Sequence, residues 1–179
     1  SYISLIMRER FTDITAKPDA PFLGASFGVG RLCLASDAAF GNVSFKDGDA
    51  INAFKAYMTE IEKMKRFGFT DGEVQRAKDN IISRYEKSAE AAATRKNADF
   101  VRPILNNFYY KSYFMDPATA LQLAQMVCAQ LNSALLSQVA ASLITDENMV
   151  ILFNGPEKEG LVNPTEAQFA ETLAAVKTA

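Results

Sequence analysis

Apolar side chains recur at helical spacing from the start of the chain. Ile3, Ile6, Met7, Phe11 and Ile14 are separated by charged and polar residues, which predicts an amphipathic helix over 1–16. It stops at Lys17-Pro18-Asp19, because proline disfavours helix in the residue before it. The period then changes. Over 21–45 the apolar positions fall mainly on alternate residues (27, 29; 32, 34; 43, 45), which predicts two strands with a turn near Ala35 to Ala38. Glycines at 24, 28, 30 and 41 are dense for flat strands and predict bulges or close backbone approach.

Helical spacing returns after Asp49. Ile51, Phe54, Met58, Ile61 and Met64 form one stripe of a helix over 49–67, with Asp49 as its cap and Gly68 as its terminator. Thr70 and Glu73 form a capping box that opens a second helix. Its pattern runs through Ala77, Ile81, Ile82 and Tyr85, across the Ala-rich 89–93, up to Val101, and Pro103 is expected to end or kink it. Asp116-Pro117 predicts a further helix to about Gln130. Asn132 or Ser133 opens another, with Leu136, Val139, Ala140 and Leu143 on one face. The run Met149-Val150-Ile151-Leu152-Phe153 is wholly apolar and bounded by Gly155-Pro156, which predicts a central strand over 148–154, buried on both faces. Thr165 and Gln168 make a last capping box, opening a terminal helix that carries Phe169, Leu173 and Val176. The expected order is helix, two strands, several helices, one buried strand, helix: an α+β domain over 1–179, with 157–179 as exit loop and terminal helix. Three strands are a thin sheet for so many helices, so at least one strand is expected upstream of Ser1.

Composition narrows the chemistry. With 179 residues, 49% hydrophobic and 22% charged, the chain fits one globular domain. The net charge is −2 and there is no basic run, which argues against a nucleic-acid footprint. No apolar stretch approaches the roughly 20 residues that span a bilayer. Cys33 and Cys128 stand far apart in apolar contexts and read as two buried free thiols. The most restrictive count is histidine, of which there is none. A Ser-His-Asp or Cys-His centre is therefore excluded, and a catalytic zinc site has no imidazole to use. Gly28-Val29-Gly30 is not a phosphate loop, since residue 33 is cysteine and no helix signal follows.

The remaining candidates are binding features. Glu60, Glu62, Lys63 and Lys65 read as a solvated helix face. Glu157-Lys158-Glu159 fits a charged loop or the lip of a site. Phe108, Tyr109, Tyr110, Tyr113 and Phe114 are denser than a loop needs, and fit either peptide side-chain binding or a domain interface. Asn107 beside them fits either a peptide-backbone contact or a helix-end turn. Arg95, Lys96 and Arg102 would favour an acidic partner.

Three stretches resemble the C-terminal, non-zinc domain of pitrilysin/insulinase-type zinc metallopeptidases. They are Arg8-Glu9-Arg10-Phe11 through Asp19-Ala20-Pro21-Phe22-Leu23-Gly24-Ala25, the segment 56–77 with Gly68-Phe69-Thr70 and Glu73 to Ala77, and the segment 148–165. The resemblance implies a two-layer α+β fold, an antiparallel or mixed sheet covered by helices, as in mitochondrial-processing-peptidase-like metallohydrolase domains. It implies that this chain is an N-terminally truncated, non-catalytic segment, with zinc held by an H-x-x-E-H motif in another domain of the parent and no metal ligand or catalytic residue here. Substrate-positioning domains of the family carry an Arg seven residues before a Tyr at the strand entry. The matching positions here are Thr15 and Phe22, which favours a wall or scaffold role. Phe22, Asn107, Tyr109 and Tyr110 are then the candidate substrate-binding residues. The implied partners are other domains of the same peptidase and a peptide substrate, with a homo-oligomer allowed, and the implied location by analogy is the periplasm or cell envelope. The rival expectation is a stand-alone structural or protein-interaction module of the same fold.

Overall fold

The computed structural model describes residues 1–33, 36–145 and 148–179. Helix α1 (Tyr2–Thr15) is followed by an antiparallel pair, β1 (Gly24–Cys33) and β2 (Ser36–Ser44). Helices α2 (Ala50–Phe67), α3 (Asp71–Glu90), α4 (Ala98–Tyr110), α5 (Pro117–Gln130), α6 (Ser133–Leu143) and α7 (Glu166–Thr178) complete the chain, with a 3-10 turn at Ala91–Thr94. Helices thus pack on a small antiparallel sheet, which is the expected α+β class.

The sheet is one hairpin, with Gly24 opposite Ser44 and Val29 opposite Ala39. Ala25, Phe27, Val29 and Val43 turn to the helices and join the core. The ladder shifts register between Arg31 and Cys33. There the apolar parity changes from odd to even positions, and a bulge of the kind the glycines foretold accounts for it. Of the turn expected at 35–38, residue 35 lies outside the described residues, while Ser36 to Ala38 already belong to β2.

Side chains from α1 and α2 form the seam under this hairpin. Phe11 stacks on Tyr57 at 5.4 Å and meets Phe22 edge-on at 6.0 Å. Ile3, Ile6, Met7, Met58, Ile61 and Met64 close the core around them. The Tyr57 hydroxyl passes over Gly41 and donates to the Ser26 carbonyl at 3.0 Å. Burial pushes that phenol up to about 12. A Cβ on Gly41 would sit 2.0 Å from the Tyr57 oxygen and 2.4 Å from the Ser26 carbonyl, so the position admits no side chain. On the other face the Phe40 ring lies over Gly28, 3.0 Å from where a Cβ would stand.

A second lock joins α1 to the α2–α3 corner. Gly68 ends α2 at φ 67°, a conformation that favours glycine. The Arg10 guanidinium donates to both Glu73 carboxylate oxygens, at 2.6 and 3.0 Å, and to the Gly68 carbonyl at 2.9 Å. Glu73 also accepts from the Thr70 amide as the predicted capping box. Burial alone would raise the Glu73 carboxyl, but the donors from Arg10 and Thr70 outweigh it and hold it at about 2.

Four expectations need correction. The helix from Thr70 stops at Glu90 rather than running to Val101, because Arg95 turns to extended backbone (ψ 136°) and a new helix starts at Ala98. Pro103, expected to end or kink that helix, sits inside α4. Asp99 loses its amide partner at that proline, and its carbonyl takes the Arg95 guanidinium at 3.4 Å instead. The apolar run at 149–153 is not a buried strand. It pairs with no strand among the described residues, and Val150 and Leu152 are 79% and 90% exposed. It lines one side of an apolar cleft whose other side is β2. Finally, Cys33 is exposed and only Cys128 is buried, where its sulfur lies 3.2 Å from the Tyr2 hydroxyl.

Two stability outcomes follow. Gly41→Ala should cost about 1–3 kcal/mol in chemical denaturation, since the new methyl meets backbone and a buried phenol. Glu73→Gln keeps the capping box but removes the charge that faces Arg10, and should cost about 1–3 kcal/mol at neutral pH. The folded-state value of Glu73 lies below its ordinary 4.5, so its ionised form contributes stability that is complete above 4.5 and lost as pH falls toward about 2. Unfolding midpoints measured between pH 6 and 2 should therefore fall less steeply in the variant.

Candidate functional site

Apolar surface that water ought not to see is concentrated in two places. The first is helix α4 and the chain after it. No residue of α4 is buried, although it carries Val101, Ile104, Leu105, Phe108, Tyr109 and Tyr110. Phe108 is 68% and Tyr113 88% exposed. The rings are ordered among themselves: Phe108 meets Tyr109 edge-on at 5.2 Å, Phe100 approaches Phe114 at 6.5 Å, and Arg95 lies over the Phe100 ring at 4.3 Å. α4 ends at Lys111, which adopts the left-handed conformation (φ 55°) and donates its amide to the Asn107 carbonyl at 3.0 Å.

The second place is a cleft of about 860 Å³ between β2 and residues 148–154. Its floor is the face of α2 that carries Phe54, Met58 and Ile61, and its far wall is the apolar run. The run is pinned at one end, where Phe153 stacks on Phe45 at 5.8 Å and packs on Phe169.

Three of the four candidate binding residues come together. Asn107, Tyr109 and Tyr110 share the exposed end of α4. The Asn107 side chain donates to the Ser112 carbonyl at 2.6 Å, so it serves the helix-end turn. Phe22 is apart from them: it is 2% exposed and packs on Phe11, which makes it a core residue rather than a surface one. The charged candidates are engaged elsewhere. Lys158 of the exit loop pairs with Asp47. Glu62, expected on a solvated face, is buried and pairs with Arg66 at 3.5 Å. Sequence reasoning missed the Arg10–Glu73 lock, whose signal was a capping-box glutamate with more bonding capacity than its cap uses. It also missed the cleft, which is visible only once β2 and 149–153 are placed side by side.

The residues present do not fit a zinc ion. The sequence has no histidine, its two cysteines are in different elements, and no group of three His, Cys, Asp or Glu is placed to hold a metal among the described residues. No helix among the described residues is long and apolar enough to cross a membrane; α5 and α6 together reach that length but meet at 96°.

No protein-family model matches the chain, and no curated protein does. Solved structures do. The chain superposes on the periplasmic protease PqqL from Escherichia coli with a TM-score of 0.77 at 15% identity, covering 99% of this chain and 20% of that one. The first half of the same protease gives a TM-score of 0.71 at 15% identity, covering 79% of this chain and 31% of that one. The chain therefore has the fold of a protease segment and spans a fifth to a third of the solved chains it matches. The resemblance read from the sequence agrees with this at the level of the fold, since PqqL is a pitrilysin/insulinase-family protease.

The exposed surface makes a prediction of its own. Phe108→Ser and Tyr113→Ser should each change the unfolding free energy of this chain by less than about 0.5 kcal/mol, because neither ring is buried. Lys111→Gly should raise it by about 0.5–1 kcal/mol, because glycine adopts the left-handed terminator without strain. Denaturant titrations of the three variants check both.

Proposed function

We propose that this chain is a non-catalytic wall or substrate-positioning domain of a zinc-dependent metalloendopeptidase that acts on peptides or unfolded proteins. The observation that carries this reading is the pairing of a protease-segment fold with a sequence that has no histidine. The parent's zinc and general base belong to another domain, and the present residues contribute shape and contact. The ring surface of α4 supplies apolar contacts with a neighbouring domain or an unfolded chain, with Tyr109 and Tyr110 at its end. Envelope localisation is part of the same proposal and rests on the periplasmic neighbour.

A stand-alone interaction module is the second reading. It is favoured by one feature, a helix with no buried residue, which suits docking as well as it suits a chamber.

The two separate in an assay of the intact polypeptide on a quenched fluorescent unfolded peptide. The first reading expects chelator-sensitive cleavage by the whole protein and none by residues 1–179 alone. Tyr109→Ala with Tyr110→Ala should then raise KM by roughly threefold to tenfold and leave kcat nearly unchanged, as loss of uniform binding does. A whole protein without an H-x-x-E-H motif and without cleavage would leave the module as the better account.

A further inference from the structure

Asparagine is labile in water when the backbone amide that follows it is free to attack its side chain. We propose that Asn154-Gly155 is a site of spontaneous deamidation in the folded protein, where Asn154 converts to aspartate and isoaspartate.

The reaction needs only water. Hydroxide or a buffer base takes the proton of the Gly155 amide, and that nitrogen attacks Cγ of Asn154. The new N–Cγ bond closes a succinimide ring, the Cγ–Nδ2 bond breaks, and ammonia leaves. Water then opens the ring. Addition at Cγ restores the ordinary main chain with an aspartate. Addition at the Asn154 main-chain carbonyl leaves the chain running through Cγ, as isoaspartate. In sum one water is consumed and one ammonia released, with no change of oxidation state.

Three conditions decide where this happens. The attacking nitrogen must carry a hydrogen, must not be held in a hydrogen bond, and must not be crowded by a side chain of its own residue. Asn154-Gly155 meets all three. Gly155 has no Cβ, and its amide makes no hydrogen bond among the described residues. The Asn154 side chain is exposed and likewise bonds nothing among them. Residues 149–158 belong to no helix or strand, so no ladder fixes the backbone torsions of the pair.

The chain has ten asparagines, and each of the other nine fails a condition. Asn52, Asn80, Asn106 and Asn107 lie within α2, α3 and α4, where the next amide is tied to a carbonyl one turn back. Asn42 precedes the branched Val43 in β2, and its side-chain oxygen takes the Ser26 hydroxyl at 3.1 Å. Asn163 precedes Pro164, which has no N–H to attack with, and its side chain donates to the Pro156 carbonyl at 3.3 Å. Asn97, Asn132 and Asn148 precede Ala98, Ser133 and Met149, whose side chains crowd the nitrogen. Asn132 is also engaged, since its oxygen accepts the Leu135 amide at 2.8 Å.

The place gives the conversion a consequence. Asn154 lines the cleft beside β2 and directly follows Phe153, the residue that pins the run to Phe45 and Phe169. Either product puts a carboxylate on the lip of a largely apolar cleft. Isoaspartate also adds one main-chain atom between Phe153 and Gly155, where a Cβ on Gly155 would already stand 2.5 Å from the Phe153 ring.

Peptide mapping of the intact encoded polypeptide tests the proposal. The folded protein is held at neutral and at mildly alkaline pH, then digested. Peptides are weighed for carboxamide-to-carboxyl conversion, and isoaspartate is counted with an isoaspartyl methyltransferase. The Asn154 peptide should split into two products and convert faster than every other asparagine by about tenfold or more. The rate should rise with pH, because base generates the attacking nitrogen. The same peptide in urea should convert within about tenfold of the folded rate. Asn154→Gln should abolish the methyltransferase signal of this peptide and leave the unfolding midpoint unchanged, since the residue is exposed and glutamine must close a larger ring. Rapid conversion in urea beside an intact Asn154 in the folded protein would overturn the proposal, because the fold would then be holding the pair apart. Conversion spread evenly over the asparagines would overturn it too. No readout here uses peptidase activity, so the result is independent of the proposed function.

Discussion

A hairpin of two strands has one face to bury and two edges to satisfy, and the rest of this structure is arranged around that constraint. The buried face is met by aromatic packing and by one hydrogen bond across layers. Tyr57 reaches from α2 through the space a side chain on Gly41 would occupy and bonds the β1 backbone at Ser26. The bond fixes the distance between helix and sheet. Phe11 and Phe22 then fill the space on either side of the seam. The two strands pair with each other along their inner edges, and the outer edge of β2 faces the apolar cleft.

The helices close around this seam through the apolar core they share, which includes Val74, Leu136 and Phe169, and through polar locks at their ends. Arg10 ties the middle of α1 to the carbonyl that ends α2 and to the glutamate that begins α3. Ser137 of α6 accepts the Phe69 amide just past the same corner at 2.9 Å. Arg66 near the end of α2 reaches the Lys177 carbonyl in α7. Three helices therefore converge on the segment 66–73, where glycine at 68 is required by its positive φ and by the Ser137 side chain beside it. Exposed ion pairs such as Lys158–Asp47 contribute little by comparison, since solvent competes for both partners.

Elements with strong local signals were legible in the sequence. The stripes of α1 and α2, the capping boxes at Thr70 and Thr165, and the Asp116-Pro117 start all lie where the pattern places them. These signals depend on neighbours three or four residues away, and a single chain carries them entirely. What was not legible depends on partners distant in sequence. The run 149–153 has the composition of an internal strand, and composition cannot say whether a neighbouring strand is at hand. The break after Glu90 was hidden because alanine favours helix at each position of 91–93, while the chain turns at Arg95. The ring surface of α4 was legible as dense and aromatic, but only the structure shows that the whole helix is uncovered. Phe22 was drawn toward a binding role by the resemblance, which matches it to a Tyr at the strand entry, and its packing on Phe11 makes it part of the seam.

The two uncovered regions differ in kind, and that difference bears on how the domain works. The cleft exposes backbone edges as well as side chains, so leaving it open would cost unpaired donors and acceptors along with apolar area. Helix α4 satisfies its own backbone and exposes only side chains, so it tolerates water at a lower cost and can meet a partner reversibly. Whatever covered the cleft would couple its own binding to the stability of this domain, because anything that binds the folded state alone shifts folding in its favour. Ring contacts on α4 would adjust position without deciding whether the domain is folded.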